Sequence, residues 1–395
     1  GQAAGHARLH PELLAAAAYL LGHADECRQA LQRAHDAYIA ADDVRRAARC
    51  LFWIAFTLLL EGDLAPAAGW LGRTGRLLHQ IPSECAEKGL LLLPSVVQAA
   101  IEGDYAQAEA AASLAAEIGT RFGDADLIAL GVHFQGSALL KLGRVREGVA
   151  LLDESMVSVV TGEVWPPVAG NIYCSMIDAC LEILDMRRAH EWTTALAAWW
   201  ALQPDMVMFT GQCLIHRAEI MQMHGAWPEA VEEAGRACER LADAADRHTT
   251  GAARYRLAEV HRARGDFAAA EDAYREAAQW GRDPQPGLAL LRLAEGKTDA
   301  AAAAIRRVVA ETTDRLRRAK LLPAHVEIAR AIPDVSAARD VADELTEIAG
   351  TYDTPALRAT AGYANGSVLL AEGDARRALG ALRGAWDEWR ALQAP

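Results

Sequence analysis

Lysine is nearly absent from this chain. It stands at four positions, Lys88, Lys141, Lys297 and Lys320, among 395 residues, so the remaining positive charge is arginine. Acids outnumber lysine and arginine together by 53 to 40, for a formal net charge of -13. A chain so balanced lacks the clustered basic surface that phosphate backbones require, which excludes nonspecific nucleic-acid binding by this chain alone. The seven cysteines are odd in number and form no Cys-x-x-Cys pair. They fit neither a disulfide framework nor a zinc site, and read as buried reduced thiols of a cytoplasmic protein. No apolar run reaches the roughly 18 residues of a membrane span, and the first residues lack a basic-then-apolar leader, so no membrane partner is expected. The chain opens on Gly1 and closes on Pro395 just after a predicted helix, the ends expected of an excised fragment.

Catalytic motifs are missing as well. "EGKT" at Glu295 to Thr298 has Leu291 where a phosphate-binding loop needs glycine, and follows a helical segment instead of a strand, so it reads as a hairpin turn. "HEWTT" at His190 and "HVEIA" at His325 each lack the second histidine of a zinc-binding helix, and no Gly-x-Ser-x-Gly elbow is present. The expectation is a protein that is not an enzyme, with no cofactor and no metal.

What the chain has is alanine-rich helix and a period. "LEGDLAPAAGWL" from Leu60, "IEGDYAQAEAAA" from Ile101, "KLGRVREGVALL" from Lys141 and "ARGDFAAAEDAYREA" from Ala263 share a helix, a turn, and a helix with a small residue five places on. The turns fall at 22, 62, 103, 143, 184, 225, 265, 296, 333 and 373, mostly 40 or 41 apart. Five residues after each turn stand Cys27, Ala67, Ala108, Gly148, Ala189, Ala230, Ala270, Ala301, Ala338 and Ala378. Seven before stand Ala15, Ala55, Val96, Gly136, Ile177, Ala218, Ala258, Ala289, Val326 and Gly366. Small side chains in both columns let two antiparallel helices approach closely. The copy from Leu257 to Ala277 resembles the tetratricopeptide consensus at Leu257, Ala258, Gly265, Phe267, Ala270, Tyr274 and Ala277. The spacing exceeds the usual length of about 34 residues. The expected fold is all-α, a right-handed α-solenoid of about ten tetratricopeptide-like helical hairpins forming one superhelical domain over 1–395. The 31-residue step between turns 265 and 296 predicts a short first helix and a local change of curvature.

The segments "GEVWPPVAGNIYCSMIDAC", "RRAHEWTTAL", "QPDMVMFTGQCLIHRAEIMQMHGAWPEAVEEA", "WGRDPQPGLALLRLAEG" and "LLAEGDARRALGALRGAW" resemble the helical-repeat region of bacterial LuxR-type transcriptional regulators over essentially the whole chain. The resemblance implies the sensory half of a transcription factor, with DNA contacted only through a helix-turn-helix domain absent from this chain. Trp165, the Trp199-Trp200 pair and Thr210 depart from the pattern expected there.

In such superhelices the first helix of each hairpin lines the concave groove. At eight of the ten turns the residue six before gives Phe56, Val97, Ser137, Asp178, Glu219, Glu259, Leu290 and Ser367, with three acids in succession at the centre. Positions ten or thirteen before the turns add His133, Asn171, Gln212 and Tyr255, and His216 lies on the same stretch. The acids either pair with Arg217, Arg254, Arg256 or Arg262, or anchor the polar part of a ligand whose apolar part is walled by Trp165, Trp199, Trp200 and Phe209. Adjacent Pro166 and Pro167 stop a helix, which places Trp165 on a loop, either as a plug between hairpins or at the rim of the groove. Two functions follow: a regulatory domain binding a small effector, or a scaffold binding a protein or peptide along the groove. A homodimer is compatible with either.

Overall fold

The computed structural model describes residues 11–203, 205–242 and 247–394, and among them every regular element is a helix. The helices follow one another as hairpins: α1 (Pro11–Leu20) with α2 (Ala24–Ala40), α3 (Val44–Glu61) with α4 (Leu64–Leu78), and α5 (Ala86–Leu90) and α6 (Leu93–Glu102) with α7 (Tyr105–Phe122). Then come α8 (Ala125–Lys141) with α9 (Val145–Val160), α10 (Pro166–Glu182) with α11 (Met186–Ala201), α12 (Thr210–Met223) with α13 (Trp227–Arg240), and α14 (Arg247–Arg264) with α15 (Phe267–Gln279). The last three pairs are α16 (Gly287–Ala294) with α17 (Thr298–Glu311), α18 (Arg315–Ala331) with α19 (Val335–Tyr352), and α20 (Pro355–Ala371) with α21 (Ala375–Ala391). The chain is an α-solenoid of tetratricopeptide-like hairpins. As the 31-residue step predicts, α16 is short, with 8 residues. The break between α5 and α6 has no counterpart in the sequence expectation.

The hairpin turns have one cause. Gly103 takes φ 80°, and its amide donates to Ala100 O at 3.2 Å while Asp104 N donates to Ala99 O at 2.9 Å. These two bonds satisfy the last carbonyls of α6 in a left-handed cap, a conformation that costs a side-chain-bearing residue roughly 1–2 kcal/mol. Asp104 then caps α7 by accepting from Gln107 N at 3.0 Å. All ten turn positions have positive φ; eight are glycine, and Leu184 and Pro333 hold the other two.

The small columns meet where the helices cross. Both are buried throughout. A Cβ added at Gly136 of α8 would stand 2.8 Å from Gly148 O, and one at Gly148 of α9 would stand 2.7 Å from Gly136 O. Larger apolar side chains fill the space around each crossing, among them Leu152, Met156, Leu291 and Leu345.

Two compact units emerge from the contacts: residues 1–173 with 199–209, and residues 174–198 with 210–395. Within the first, Val207 N and Met208 N both donate to Leu20 O, at 2.8 and 3.1 Å. Within the second, Thr354 Oγ1 donates to Ile183 O at 2.7 Å across 171 residues of sequence, and His224 Nδ1 lies 3.2 Å from Gln393 O. All seven cysteines are buried and none is in a disulfide. No helix among the described residues is long and apolar enough to cross a membrane.

Two glycine substitutions separate close packing from mere exposure. Gly148→Val, aimed at backbone and Leu140, should lower stability by about 1–3 kcal/mol. Gly235→Ala on α13, with nothing within 4 Å of the added carbon, should raise it by about 0.4–1 kcal/mol. Urea unfolding followed by circular dichroism measures both.

Candidate functional site

The predicted site residues divide between the two units. Trp165, Asn171, His133, Trp199, Trp200 and Phe209 belong to the first; Asp178, Gln212, His216, Glu219, Tyr255 and Glu259 belong to the second.

In the first unit the aromatic residues are engaged internally. Pro166 and Pro167 open α10 and do not stop a helix, because the first turn leaves its amide donors unpaired in any case. Trp165 is the last residue before that helix, half-buried, with its ring 4.8 Å from the Trp53 ring. Its backbone N donates to Asp126 Oδ1 at 2.7 Å. Asp126 Oδ2 in turn accepts from Arg49 Nη2 at 2.7 Å, and Arg49 also binds Asp124. Burial opposes the Arg49 charge, but the Asp124 and Asp126 carboxylates more than offset it, and the guanidinium pKa rises. Trp165 is thus held at both backbone and ring. Trp199 packs 5.8 Å from Tyr173, and Trp200 and Asn171 are half-buried. Phe209, itself at φ 67°, lies against Gly170, where an added Cβ would collide with its ring, and 6.0 Å from Tyr19.

His133 was expected on the inner wall, but is buried with Ser155 Oγ 3.5 Å from Nδ1. Burial pushes its pKa down to about 4, so it is neutral near pH 7. Tyr255 is likewise buried, packed on Tyr274 at 5.8 Å beneath the Arg282 guanidinium. Both stand ten residues before their turns, a spacing that faces the body of the unit instead of its inner surface.

The second unit assembles a polar row. Gln212, His216 and Glu219 stand thirteen, nine and six before their turn, spaced by four and three along one face of α12. Gln212 Nε2 donates to Asp178 Oδ2 at 2.7 Å, and His216 Nε2 lies 3.6 Å from Asp178 Oδ1. The Asp178 side chain is 53% exposed, while that of His216 is 4% exposed. The crowded surroundings raise the Asp178 carboxyl above its ordinary value, with His216 and Lys320 acting the other way.

Its two neighbouring acids have arginine partners. Glu219 Oε2 sits 2.5 Å from Arg256 Nη2, and Arg256, Lys320 and His216 together overcome the effect of burial to lower its pKa. Glu259 accepts from the Tyr274 hydroxyl and pairs with Arg262 Nη2 at 3.1 Å. Arg217 and Arg254 go elsewhere, to Glu233 at 2.7 Å and Glu276 at 2.9 Å. Asp178 has no arginine partner among the described residues.

Sequence reasoning passed over Lys320 of α18, whose charge reaches both Asp178 and Glu219. It stands thirteen before the turn at 333, the column that supplies Asn171 and Gln212, so the signal was present.

No family model and no curated protein sequence matches the chain. The solved structures do. A Rap protein in complex with Competence and Sporulation Factor is 12% identical with a TM-score of 0.56, covering 84% of this chain and 99% of its own. A signal-transduction ATPase (STAND) protein from Pyrococcus horikoshii with a tetratricopeptide-repeat sensor is 14% identical at a TM-score of 0.39, covering 92% of this chain and 52% of its own. The APC/C hetero-tetramer Cut9-Hcn1 gives 11% identity and 0.40, covering 95% and 89%. The first of these likenesses shows the helical-repeat fold.

Trp165→Ala should remove the contact with Trp53 and cost about 2–3 kcal/mol in thermal unfolding, less than a fully buried tryptophan. Because Glu219 is held low, its contribution to stability is full above the ordinary glutamate pKa of about 4.3 and is lost as pH falls through the depressed value. Glu219→Gln should flatten that acid limb in urea titrations across pH 3 to 7 and, by leaving Arg256 with only the neutral Gln222 Oε1 at 3.1 Å and no carboxylate, cost about 1–3 kcal/mol at neutral pH.

Proposed function

We propose that the protein is a non-catalytic regulatory scaffold that binds a peptide or protein segment along the inner helix faces of its second unit. The observation that carries this reading is the row Asp178, Gln212, His216 and Glu219 on α10 and α12, polar, partly open to solvent and continued by Arg256 and Glu259 on α14. A row extending over successive helices suits an elongated partner better than a compact effector. The aromatic residues that would wall an effector pocket support the same choice, since Trp165, Trp199 and Phe209 are packed on Trp53, Tyr173 and Gly170. The Rap protein of similar fold is seen in complex with Competence and Sporulation Factor, so this architecture accommodates a bound partner.

The finer form of the proposal rests on the resemblance of its segments to LuxR-type regulators. In it the scaffold is the cytoplasmic sensory half of a transcriptional regulator, and occupancy selects among conformations of the repeats to be read by a DNA-binding domain outside this chain. The net charge of -13 supports leaving DNA contact to another domain.

A displayed library of unstructured peptides tests the scaffold. Selected peptides should bind the wild-type protein saturably and lose about tenfold or more in affinity to Gln212→Trp, which fills that face, but not to Glu232→Ala at an exposed position of α13. A library that yields no saturable binder, or binders indifferent to Gln212→Trp, rules the reading out.

A further inference from the structure

The inner face of α12 holds a histidine that packing alone does not explain. The His216 ring is buried, yet among the described residues neither Nδ1 nor Nε2 has a hydrogen-bond partner. Leaving a buried polar group unpaired is destabilising, a cost that an apolar ring of similar size would avoid. The surroundings give the unpaired atom a direction. Nε2 faces Asp178 Oδ1 across 3.6 Å, beyond hydrogen-bond range, and Gln212 already occupies the other carboxylate oxygen at 2.7 Å. One nitrogen carrying two N–H groups reaches both atoms at ordinary distances of roughly 2.8–3.0 Å.

Charge selects the kind of nitrogen. Arg256 neutralises Glu219 and Arg262 neutralises Glu259, whereas, among the described residues, the half-exposed Asp178 carboxylate meets an amide and the long contact to His216. Lys320, exposed on α18, lowers the Asp178 carboxyl from a distance and makes no ion pair with it among the described residues.

We propose that the polar cluster of Asp178, Gln212 and His216 binds a cationic N–H donor, a primary ammonium carried by a free polyamine or by a lysine side chain of a bound peptide. The ammonium donates to Asp178 Oδ1 and to His216 Nε2, and Gln212 holds the carboxylate in place. This deepens the scaffold reading and rests on it for the peptide source.

Isothermal titration at fixed ionic strength tests the site with three probes: spermidine, an acetylated and amidated Gly-Lys-Gly peptide, and tetramethylammonium, which has charge but no N–H. Spermidine or the lysine peptide should bind saturably and tetramethylammonium should not; which of the first two binds identifies the source. Asp178→Asn should weaken binding about 10- to 100-fold, the loss of a charge-assisted hydrogen bond. His216→Phe should also weaken binding while leaving the unfolding temperature unchanged or higher, a combination that a purely structural histidine would not give. Failure of both N–H probes, equal binding of tetramethylammonium, or wild-type affinity in the two variants overturns the proposal. Selected peptides that bind Asp178→Asn as well as wild type retire the ammonium site and leave the scaffold standing. Spermidine binding without any selected peptide does the reverse.

Discussion

How near two helices of a hairpin come is the constraint on which the remaining features depend. At Gly136 and Gly148 backbone meets backbone with no room for a carbon atom on either side. That approach is available only if the small residues of both helices reach the crossing together, and the turn sets their register. The positive φ at every turn, followed in several by a capping aspartate, reverses the chain in the same way each time. The periodic sequence is therefore a consequence of repeated steric contact, and the face turned away from the crossing is released to carry polar chemistry.

Scarcity of lysine has a structural counterpart. Arg339 grips Glu372 through Nε and Nη2 at 2.9 and 2.6 Å, and Arg358 reaches Glu388 from α20 to α21. Planar forks of this kind match carboxylates in two places, which a lysine ammonium does not. In the first unit Arg49 performs the related task of gathering Asp124 and Asp126, and so secures the residue that precedes the double proline. Trp165 is held from two directions at once, and its local rigidity comes from that double attachment as much as from the prolines.

Much of the fold was legible. Spacing alone located all ten turns, including Leu184, where no glycine marks the place but Asp185 N still donates to Cys180 O at 2.8 Å. The division of α5 from α6 was not, because the segment around Leu91 and Leu92 is apolar on either side of the break. The polar cluster was partly legible by column: position six before a turn gave Asp178 and Glu219 and position thirteen gave Gln212, which the structure brings together with His216, whereas position ten gave His133 and Tyr255, which are buried. Partners were harder. That Glu219 would take Arg256, and Asp178 no arginine at all, depends on side-chain reach between neighbouring hairpins, which no linear spacing records.

The first unit is not one stretch of chain. Its carbonyl at Leu20 waits for the amides of Val207 and Met208, and Gly170 waits for the ring of Phe209. During synthesis on the ribosome, then, the earliest hairpins stay unfinished until residue 209 has left the exit tunnel. By that time residues 174–198, which belong to the second unit, are already outside. Assembly order is consequently interleaved, and no gene fragment ending inside α10 encodes a completed half.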